Sequence, residues 1–185
     1  MDNFPRLTTN TLILRKIKPG DLTSLLTYCN NPKISDQILN IPYPYSEEDA
    51  IFRMNFIYEG FKKKERYVFA ITFCENDELI GEIGLHLDKT NDNAQLGYWV
   101  GEPFWGRKVA TEATHAILKF GFEQLGLHKI YATHFRDNSA SAKVMQNNKM
   151  IQEADLKQHY KVRETYRDVI QYRLTKVEYA HLTQG

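Results

Sequence analysis

The sequence has no long apolar segment and little cysteine. Among its 185 residues, no apolar run approaches the ~18 residues of a membrane-spanning helix, and the first ten residues, MDNFPRLTTN, lack the apolar core of a secretory signal. The two cysteines, Cys29 and Cys74, lie far apart, which favours two buried free thiols over a disulfide or a metal-binding pair. Together these features predict a cytoplasmic protein with no membrane partner.

An excess of charge of either sign is also missing. The chain carries 24 Lys and Arg against 23 Asp and Glu, a net charge of +1, and the two signs are interspersed. Because proteins that bind nucleic acid present a strongly basic surface, no nucleic-acid partner is expected. The one basic run, FKKKER from Phe61 to Arg66, is predicted to be the solvated end of a helix, with a phosphate-binding patch as the alternative.

Several motifs that mark common enzyme classes are absent. The sequence contains no G-x-x-x-x-G-K-[ST] of a P-loop, no G-x-G-x-x-G of a dinucleotide-binding domain and no G-x-S-x-G of a serine hydrolase. No Cys, His and Asp residues cluster with the spacing of metal ligands, so no metal is predicted. Repeats and flexible linkers are missing too, which predicts a single domain over residues 1–185.

The apolar pattern of the first half predicts two helices and several strands; the first helix, in PGDLTSLLTYCNN, is short and ends near Asn30. LILRKI, from Leu12 to Ile17, alternates like a strand, and Ser46 with Asp49 resembles the capping box that opens a helix. The stretches RYVFAITFCE, ELIGEIGLHLD and AQLGYWVG follow with short links. Three consecutive strands with short links are typical of an antiparallel meander.

The pattern of the second half changes to helical spacing. Apolar residues recur on one helical face from Val109 to Phe120, Gly126 suits a helix end, and HKIYATHF, from His128 to Phe135, alternates like a strand. A strand, a helix and a strand in succession most simply make a parallel, right-handed crossover. A short helix after Asn138 and two closing strands complete the prediction of an α+β fold, whose mixed sheet has a parallel pair in its middle.

The stretch FWGRKVATEA, from Phe104 to Ala113, lies where a predicted strand gives way to a helix. The first N–H groups of a helix have no internal partner, and the helix dipole favours negative charge there. Gly106 lets the backbone approach a ligand closely, while Arg107 and Lys108 add positive charge. This stretch alone supports equally a phosphate or pyrophosphate site and a plain helix start with solvated cations.

Four stretches stand in order along the chain: LGYWVGEPFWGRKVATEA, FGFEQLGLHKIYAT, RDNSASAKVMQNN and YRDVIQYRL. In combination they resemble the GNAT acetyltransferases, and among them the Rim-type branch that acetylates N-termini of ribosomal proteins. The resemblance implies a GNAT fold: a mostly antiparallel mixed sheet of about seven strands, with flanking helices and two splayed parallel central strands. Those strands would be Gln95–Gly101 and Lys129–Phe135. It also implies direct transfer of an acetyl group, in a ternary complex, from acetyl-CoA to a primary amine, in particular a protein N-terminus.

The resemblance further implies which residues bind acetyl-CoA. The family motif Q/R-x-x-G-x-G/A, on which the pyrophosphate rests, maps onto the six residues from Trp105 to Ala110. The backbone of the first splayed strand bonds the pantetheine arm, as an unpaired strand edge can. An N-x-x-S motif near the thiol begins at Asn138. The predicted binding residues are Trp99, Val100, Gly106, Arg107, Lys108, Val109, Ala110, Thr111 and Asn138.

Three departures from the family pattern affect these expectations. Lys108 stands where relatives have a central glycine, so its side chain either crowds the pyrophosphate or contacts it as a point charge. The residues from Asn148 to Met150 replace a Leu-Gly-Phe-like turn, which would loosen packing beside the acetyl donor. Gln95 stands where relatives often have Glu, and an amide cannot be a general base.

The predicted catalytic residues are an acid and a base. Ser141, on the family's pattern, is the candidate acid for the departing thiolate. Glu82 is the candidate base, and His86 shares its strand face. Weaker candidates are His134 on the second splayed strand and the pair His159 and Tyr160 on the acceptor side; a solvated face or a core position is the structural alternative for each.

Three readings of function remain open from the sequence. The first is a Rim-type N-acetyltransferase acting on a protein N-terminus. The second is an acetyltransferase for a small amine, such as a polyamine, an aminoglycoside or an amino acid. The third is a catalytically silent CoA-binding module, to which Lys108 and Gln95 point. Relatives are often homodimers, but no apolar stripe in the sequence demands one.

Overall fold

The structure is a computed structural model that describes residues 4–183. The predicted domain limits, residues 1 and 185, lie outside the described residues. The strands are β1 Leu7–Thr8, β2 Leu12–Arg15, β3 Arg66–Phe73, β4 Gly81–Asp88, β5 Asn93–Val100, β6 Lys129–Phe135, β7 Ile151–Val162 and β8 Thr165–Thr175. The helices are α1 Leu22–Cys29, α2 Pro32–Ser35, α3 Glu47–Lys62, α4 Val109–Lys119, α5 Ser139–Asn147 and α6 Lys176–Thr183.

The strands form one eight-stranded sheet in the order β1-β2-β3-β4-β5-β6-β8-β7. Only β5 and β6 run parallel; the other neighbouring pairs are antiparallel. The meander of β3, β4 and β5 and the α4 crossover that follows it confirm the prediction of a mixed α+β sheet. The count exceeds the expected seven because the two-residue β1 adds an edge.

Helices cover both faces of the sheet. On one face, α4 and the Met145 side chain of α5 pack over Leu85, Leu96 and Ile130 in the larger hydrophobic core. On the other face, α1 and α3 pack over Ala70 and Trp99 in a second core. Because side chains alternate along a strand, each central strand contributes to both layers. We call these two sides of the sheet the α4 face and the α3 face.

Local signals in the sequence placed most helix ends correctly. Ser46 and Asp49 form a reciprocal capping box at the start of α3, and the basic run follows the end of this helix at Lys62. Gly126, at φ +70°, occupies the left-handed conformation expected after the helical segment. Cys29 is buried as expected, but Cys74 is exposed because it lies just beyond the end of β3, so this part of the prediction was wrong.

Two further observations concern the described part of the chain. No helix within residues 4–183 is long and apolar enough to cross a membrane. In the same range, no three His, Cys, Asp or Glu side chains are grouped so as to hold a metal ion.

Candidate active site

The two parallel strands separate partway along their length. β5 pairs with β6 only at Asn93, Ala94 and Gln95, which lie opposite Lys129, Ile130 and Tyr131. Beyond that point, β5 remains paired with β4 as far as Val100, and β6 remains paired with β8 as far as Phe135. The predicted divergence of the central strands is therefore present, and Gln95 marks where it begins.

A cavity of about 730 Å³ occupies this divergence. Its wall includes Glu82 and His86 from the α3 face and Ser141 and Met145 of α5 from the α4 face, so the cavity passes through the gap in the sheet. Helix α3 and the loop before it form the outer wall on the α3 face. Such a passage lets two molecules meet from opposite sides of one sheet.

The backbone of β5 offers free groups to the gap. Gly101 donates its N–H to the Ile80 carbonyl at 2.8 Å, on the β4 side. Because successive peptide groups alternate in direction, those of Tyr98 and Val100 point to the other side, where pairing with β6 has ended. The indole Nε1 of Trp105 donates to the Val100 carbonyl at 2.6 Å and closes one end of this edge.

The amides at the start of α4 have no partner in the described chain. The Trp105 N–H donates to the Glu102 carbonyl, and the Glu112 N–H donates to the Lys108 carbonyl. Between them, none of the N–H groups of residues 106–111 donates to another group within residues 4–183. Gly106 at φ +76° and Lys108 at φ +61° curl this segment, and such a run of amides forms an anion-binding concavity.

The side chains of this segment have separate positions. The Arg107 guanidinium lies 5.2 Å from the centre of the Phe73 ring. Val109 is buried in the core, so only its backbone faces a ligand. The buried Asn148 donates to the Thr111 carbonyl at 3.2 Å and to the Val144 carbonyl at 2.9 Å, linking the end of α5 to α4. Asn148 and Met150 are both buried, and the looser packing expected there stays a prediction.

Ser141 lies in the cavity wall beside a tyrosine. The Tyr98 hydroxyl is 3.1 Å from Ser141 Oγ. Burial raises the pKa of Tyr98 to about 12, so this hydroxyl is protonated at neutral pH. Asn138 caps α5 by accepting the Ser141 N–H on its Oδ1 at 3.0 Å, which fixes the first turn of α5 and thereby Ser141.

Glu82 is buried in a polar cluster on the α3 face. Its Oε2 accepts from Arg53 Nε at 2.6 Å and from the Trp99 indole at 2.9 Å, while the rest of the Trp99 ring lies in the second core. The side chain of Glu82 is only 1% exposed, and its Oε1 has no partner among the described residues. The hydroxyl of Tyr45, also in the cavity wall, is likewise buried without one. The cluster can therefore accept one more hydrogen bond and donate one.

His86 lies on the same strand face, opposite Gln95 of β5. Its side chain is exposed where it opens into the cavity. Desolvation by the neighbouring protein, and then the guanidinium groups of Arg66 and Arg53, lower the pKa of His86 below 6.5. His86 is therefore neutral at pH 7 and able to accept a proton.

The weaker candidates differ in whether they line the cavity. Tyr160 of β7 and His134 of β6 line the cavity, whereas His159 does not. The Nδ1 of His134 hydrogen-bonds the Phe135 carbonyl at 2.7 Å, and its ring stacks on Tyr172. This arrangement matches the core position that was the structural alternative for His134.

Sequence reasoning missed the contribution of α3. Asp49, Phe52, Arg53 and Phe56 all line the cavity. Their spacing of i, i+3, i+4 and i+7 places them on one helical face, beside the buried Ala50 and Ile57, of which Ile57 also lines the cavity. The spacing was visible in the sequence, but nothing in it indicated that this face borders the gap.

Comparison with known proteins identifies the family. Residues 11–151 match the model of the acetyltransferase (GNAT) domain. The uncharacterized N-acetyltransferase p20 of Bacillus licheniformis is 30% identical over 178 residues, which cover 94% of this chain and 98% of that protein. The chain belongs to the GNAT acetyltransferase family.

Two further similar proteins are named for different acceptors. The ribosomal-protein-serine acetyltransferase of Escherichia coli is 29% identical over 146 residues, 78% of this chain and 80% of that enzyme, which agrees with the Rim-type resemblance. The crystal structure of a Vibrio cholerae spermidine N-acetyltransferase with CoA and spermine shares the fold, with a TM-score of 0.80 at 20% identity over 93% of this chain and 99% of the other.

Family membership makes this chain an N-acetyltransferase with acetyl-CoA as its acetyl donor. The residues present fit that donor. A run of unpaired amides suits a pyrophosphate, and the free backbone edge of Tyr98 and Val100 suits an amide-rich arm.

Proposed function

We propose that this GNAT acetyltransferase acetylates the N-terminal α-amino group of a polypeptide. The observation that carries the proposal is the cavity on the α3 face, which is open to the outside, large and not strongly acidic. Its carboxylates are Asp49 and Glu82, and Glu82 is already paired with Arg53. A polypeptide terminus carries one positive charge at its end, whereas a polyamine carries several, so the cavity suits the former better.

The ionisation of the acceptor supports the same choice. An α-amino group has a pKa of about 8, so about a tenth of it is neutral and nucleophilic at pH 7. A lysine side chain, with a pKa of about 10.4, is neutral only at roughly one part in 2,500. Since Gln95 supplies no carboxylate at the start of the gap, an acceptor that needs little help from a base is favoured.

We assign donor binding to the segments that the family motif marks. The amides of Gly106, Arg107, Lys108, Val109, Ala110 and Thr111 would hold the pyrophosphate, which their lack of internal partners supports. The backbone edge that ends at Val100 would bind the pantetheine arm. Trp99 would act by closing the α3 side of the gap, since its indole is bound to Glu82. Asn138 would keep Ser141 in place through the α5 cap.

The acid would be Ser141, supported by Tyr98. When the thioester carbon is attacked, the leaving sulfur gains negative charge, and a hydroxyl beside it stabilises that charge. The Tyr98 hydroxyl can donate to Ser141 Oγ at 3.1 Å, which leaves the serine proton free for the sulfur. The amine that attacks loses its own proton to the base on the other side of the gap.

Two residues on the α3 face can serve as that base. Glu82 has a free oxygen, Oε1, but its other oxygen is held by Arg53 and Trp99. His86 lines the cavity, and desolvation and neighbouring cations lower its pKa, so it is neutral at pH 7. Its place in the wall supports proton transfer to His86, with Glu82 orienting Arg53 and Trp99.

The experiment offers purified protein and acetyl-CoA three acceptors at equal concentration. These are a lysine-free pentapeptide with a free N-terminus, the same peptide with a blocked N-terminus and one lysine, and spermidine. Thiol release gives the rate, and mass spectrometry of the peptides locates the acetyl group. We expect acetylation of the free N-terminus at the highest rate, and a rate at least tenfold lower in Ser141→Ala with unchanged thermal unfolding.

A higher rate with spermidine than with the free N-terminus would favour the small-amine alternative, to which the fold of the Vibrio cholerae enzyme points. Acetylation of only the lysine peptide would contradict both assignments. Ser139→Ala, which changes an exposed serine two residues away on the same helix, is the matched control for Ser141→Ala.

A further inference from the structure

Helix α3 carries an apolar surface at the entrance to the cavity that the core does not use. Phe52 and Phe56 lie one turn apart, their ring centres are 6.3 Å apart and their planes are inclined by 22°. Phe52 is 72% exposed and Phe56 42% exposed, and Leu39 of the preceding loop is 46% exposed. All three line the cavity. Large side chains left exposed together beside a cavity mark a binding surface.

This surface is held in one arrangement. The Arg66 guanidinium lies 3.5 Å from the centre of the Phe56 ring, and its Nη1 donates to the Phe56 carbonyl at 3.0 Å. A cation over one face of the ring stabilises its position, and Phe52 stacks beside it. An apolar group that binds here meets a pre-formed platform, so little conformational entropy is lost.

The cavity changes from polar to apolar between its buried part and its exposed edge. Arg53, which directly follows Phe52 and precedes Phe56 by about one turn, pairs with the deeply buried Glu82. The phenyl rings themselves are exposed. A ligand that fits both zones places its polar, reacting end near the gap and carries an apolar group a few ångström behind it.

We infer that Phe52, Phe56 and Leu39 form a specificity platform for apolar side chains at the second and third positions of the polypeptide acceptor. The inference rests on the proposed function, because it takes the reacting group to be an N-terminal amine. An extended chain advances about 3.3 Å per residue, so the residues after the terminal one leave the gap along α3 and reach the platform. The surface is continuous with the active site, which distinguishes it from a general protein-binding patch.

The test compares two pentapeptides that share an N-terminal serine and differ only at positions 2 and 3, with leucine in one and glutamine in the other. We expect the wild-type protein to have a kcat/KM about tenfold higher for the leucine peptide, mostly through KM, as the partial burial of one or two apolar side chains predicts. In Phe52→Ser this preference should fall below twofold, because KM for the leucine peptide rises toward that for the glutamine peptide.

The matched control is Ile51→Ser, since Ile51 is a neighbouring exposed apolar residue that does not line the cavity. It should keep the preference, and both variants should unfold at the wild-type temperature because neither side chain is buried. Equal rates on the two peptides, or a preference that persists in Phe52→Ser, would overturn the platform while leaving the proposed function intact.

A separate experiment detects failure of the proposed function itself. If neither peptide is acetylated but primary amines are, the N-terminal assignment fails, and the same variants are tested with 2-phenylethylamine against 1,4-diaminobutane. A wild-type preference for the aromatic amine that Phe52→Ser removes would still support the platform. Its absence, or inactivity toward every acceptor, would overturn it.

Discussion

Lys108 adopts a backbone conformation that most side chains avoid. At φ +61° and ψ +9° it is left-handed, and it precedes α4 without a side-chain hydrogen bond to the helix. A non-glycine residue in this region is disfavoured by about 1 kcal/mol or more. Residues 106–111 keep the curvature that leaves their amides unpaired, even though this conformation is unfavourable for Lys108.

Replacing Lys108 tests both its strain and its charge. Lys108→Gly should stabilise the protein by about 0.5–1 kcal/mol, because glycine adopts positive φ freely, and Lys108→Ala should not. If the ammonium contacts the pyrophosphate, both variants should bind acetyl-CoA more weakly and with a smaller dependence on salt. Urea unfolding and calorimetric titration at two salt concentrations measure these effects. Tighter binding by Lys108→Gly alone would show that the side chain crowds the ligand.

A second prediction at this scale concerns the pH dependence of His86. Because its pKa lies below 6.5 and the base must be deprotonated, kcat/KM should rise with pH through a midpoint below 6.5 and lose this limb in His86→Gln. Ionisation of the acceptor amine adds a second rise near pH 8 that all variants share. A pH–rate profile from 5 to 9 measures both. Retention of the lower limb in His86→Gln, with its loss in Glu82→Gln, would assign the base to Glu82.

At the scale of elements, a single carboxylate ties the start of α4 to the first hairpin. Glu112, in the first turn of α4, accepts from the Thr9 hydroxyl at 2.6 Å and from the Thr11 amide and hydroxyl at 2.8 Å each. The residues are about a hundred positions apart in sequence, so this contact joins the turn between β1 and β2 to the helix whose first amides we propose to bind the donor.

Loss of this contact should be visible as a pH-dependent stability difference. Burial raises the pKa of Glu112, but the bonds from Thr9 and Thr11 outweigh burial and hold the pKa below its ordinary 4.5. The stabilisation is therefore complete above pH 4.5 and is lost as the pH falls below it. Glu112→Gln should lower the free energy of unfolding by about 1–2 kcal/mol at pH 7.

Urea unfolding of the wild type and Glu112→Gln at pH 7, 5 and 4 provides the measurement for that contact, and the difference should narrow at the lowest pH. Glu75→Gln, which changes an exposed carboxylate in the loop between β3 and β4, is the control and should have little effect. A difference that does not depend on pH would mean that Glu112 acts by packing and not by its charge.

Elements were predictable where the signal is local. The capping box of Ser46 and Asp49 lies within four residues, and it placed the start of α3 correctly. The pairing of Arg53 with Glu82 spans 29 residues and two elements, so no pattern along the chain indicated it. For the same reason the sequence left open whether Glu82 faces solvent; the structure buries it.

At the scale of the whole molecule, the sheet consists of two parts joined by a short seam. Strands β1 to β5 lie on one side and β6 to β8 on the other, and only three residue pairs of β5 and β6 connect them across the sheet. A ligand that binds in the gap contacts both parts. Binding should therefore stabilise the whole sheet and not merely one loop.

Acetyl-CoA at a hundred times its dissociation constant should add about 2.7 kcal/mol to the free energy of unfolding and raise Tm by about 5–10 °C. Acetyl-pantetheine, which lacks the diphosphate, should give a much smaller shift at the same concentration. Amide exchange should slow at Tyr98 and Val100 as well as at residues 106–111. Slower amide exchange at residues 106–111 alone would show that the pantetheine arm does not lie along β5.

The global arrangement was predictable only in part. Periodicity indicated a mixed sheet with a parallel pair, but the divergence after Gln95 came from the family resemblance, because alternation is the same in paired and unpaired strands. The apolar face formed by Phe52 and Phe56 was not foreseen. An exposed face and a buried one have the same spacing, and only the fold shows which lies beside the gap.

If the amides before α4 hold the donor and the opening beside α3 admits the acceptor, as proposed, the passage through the sheet gives the two molecules separate entrances. Neither molecule then blocks the route of its partner. A folded protein could then place its first residues in the cavity while the rest of it stays outside. The CoA product could leave from the α4 face. Such an arrangement does not require the two products to leave in a fixed order.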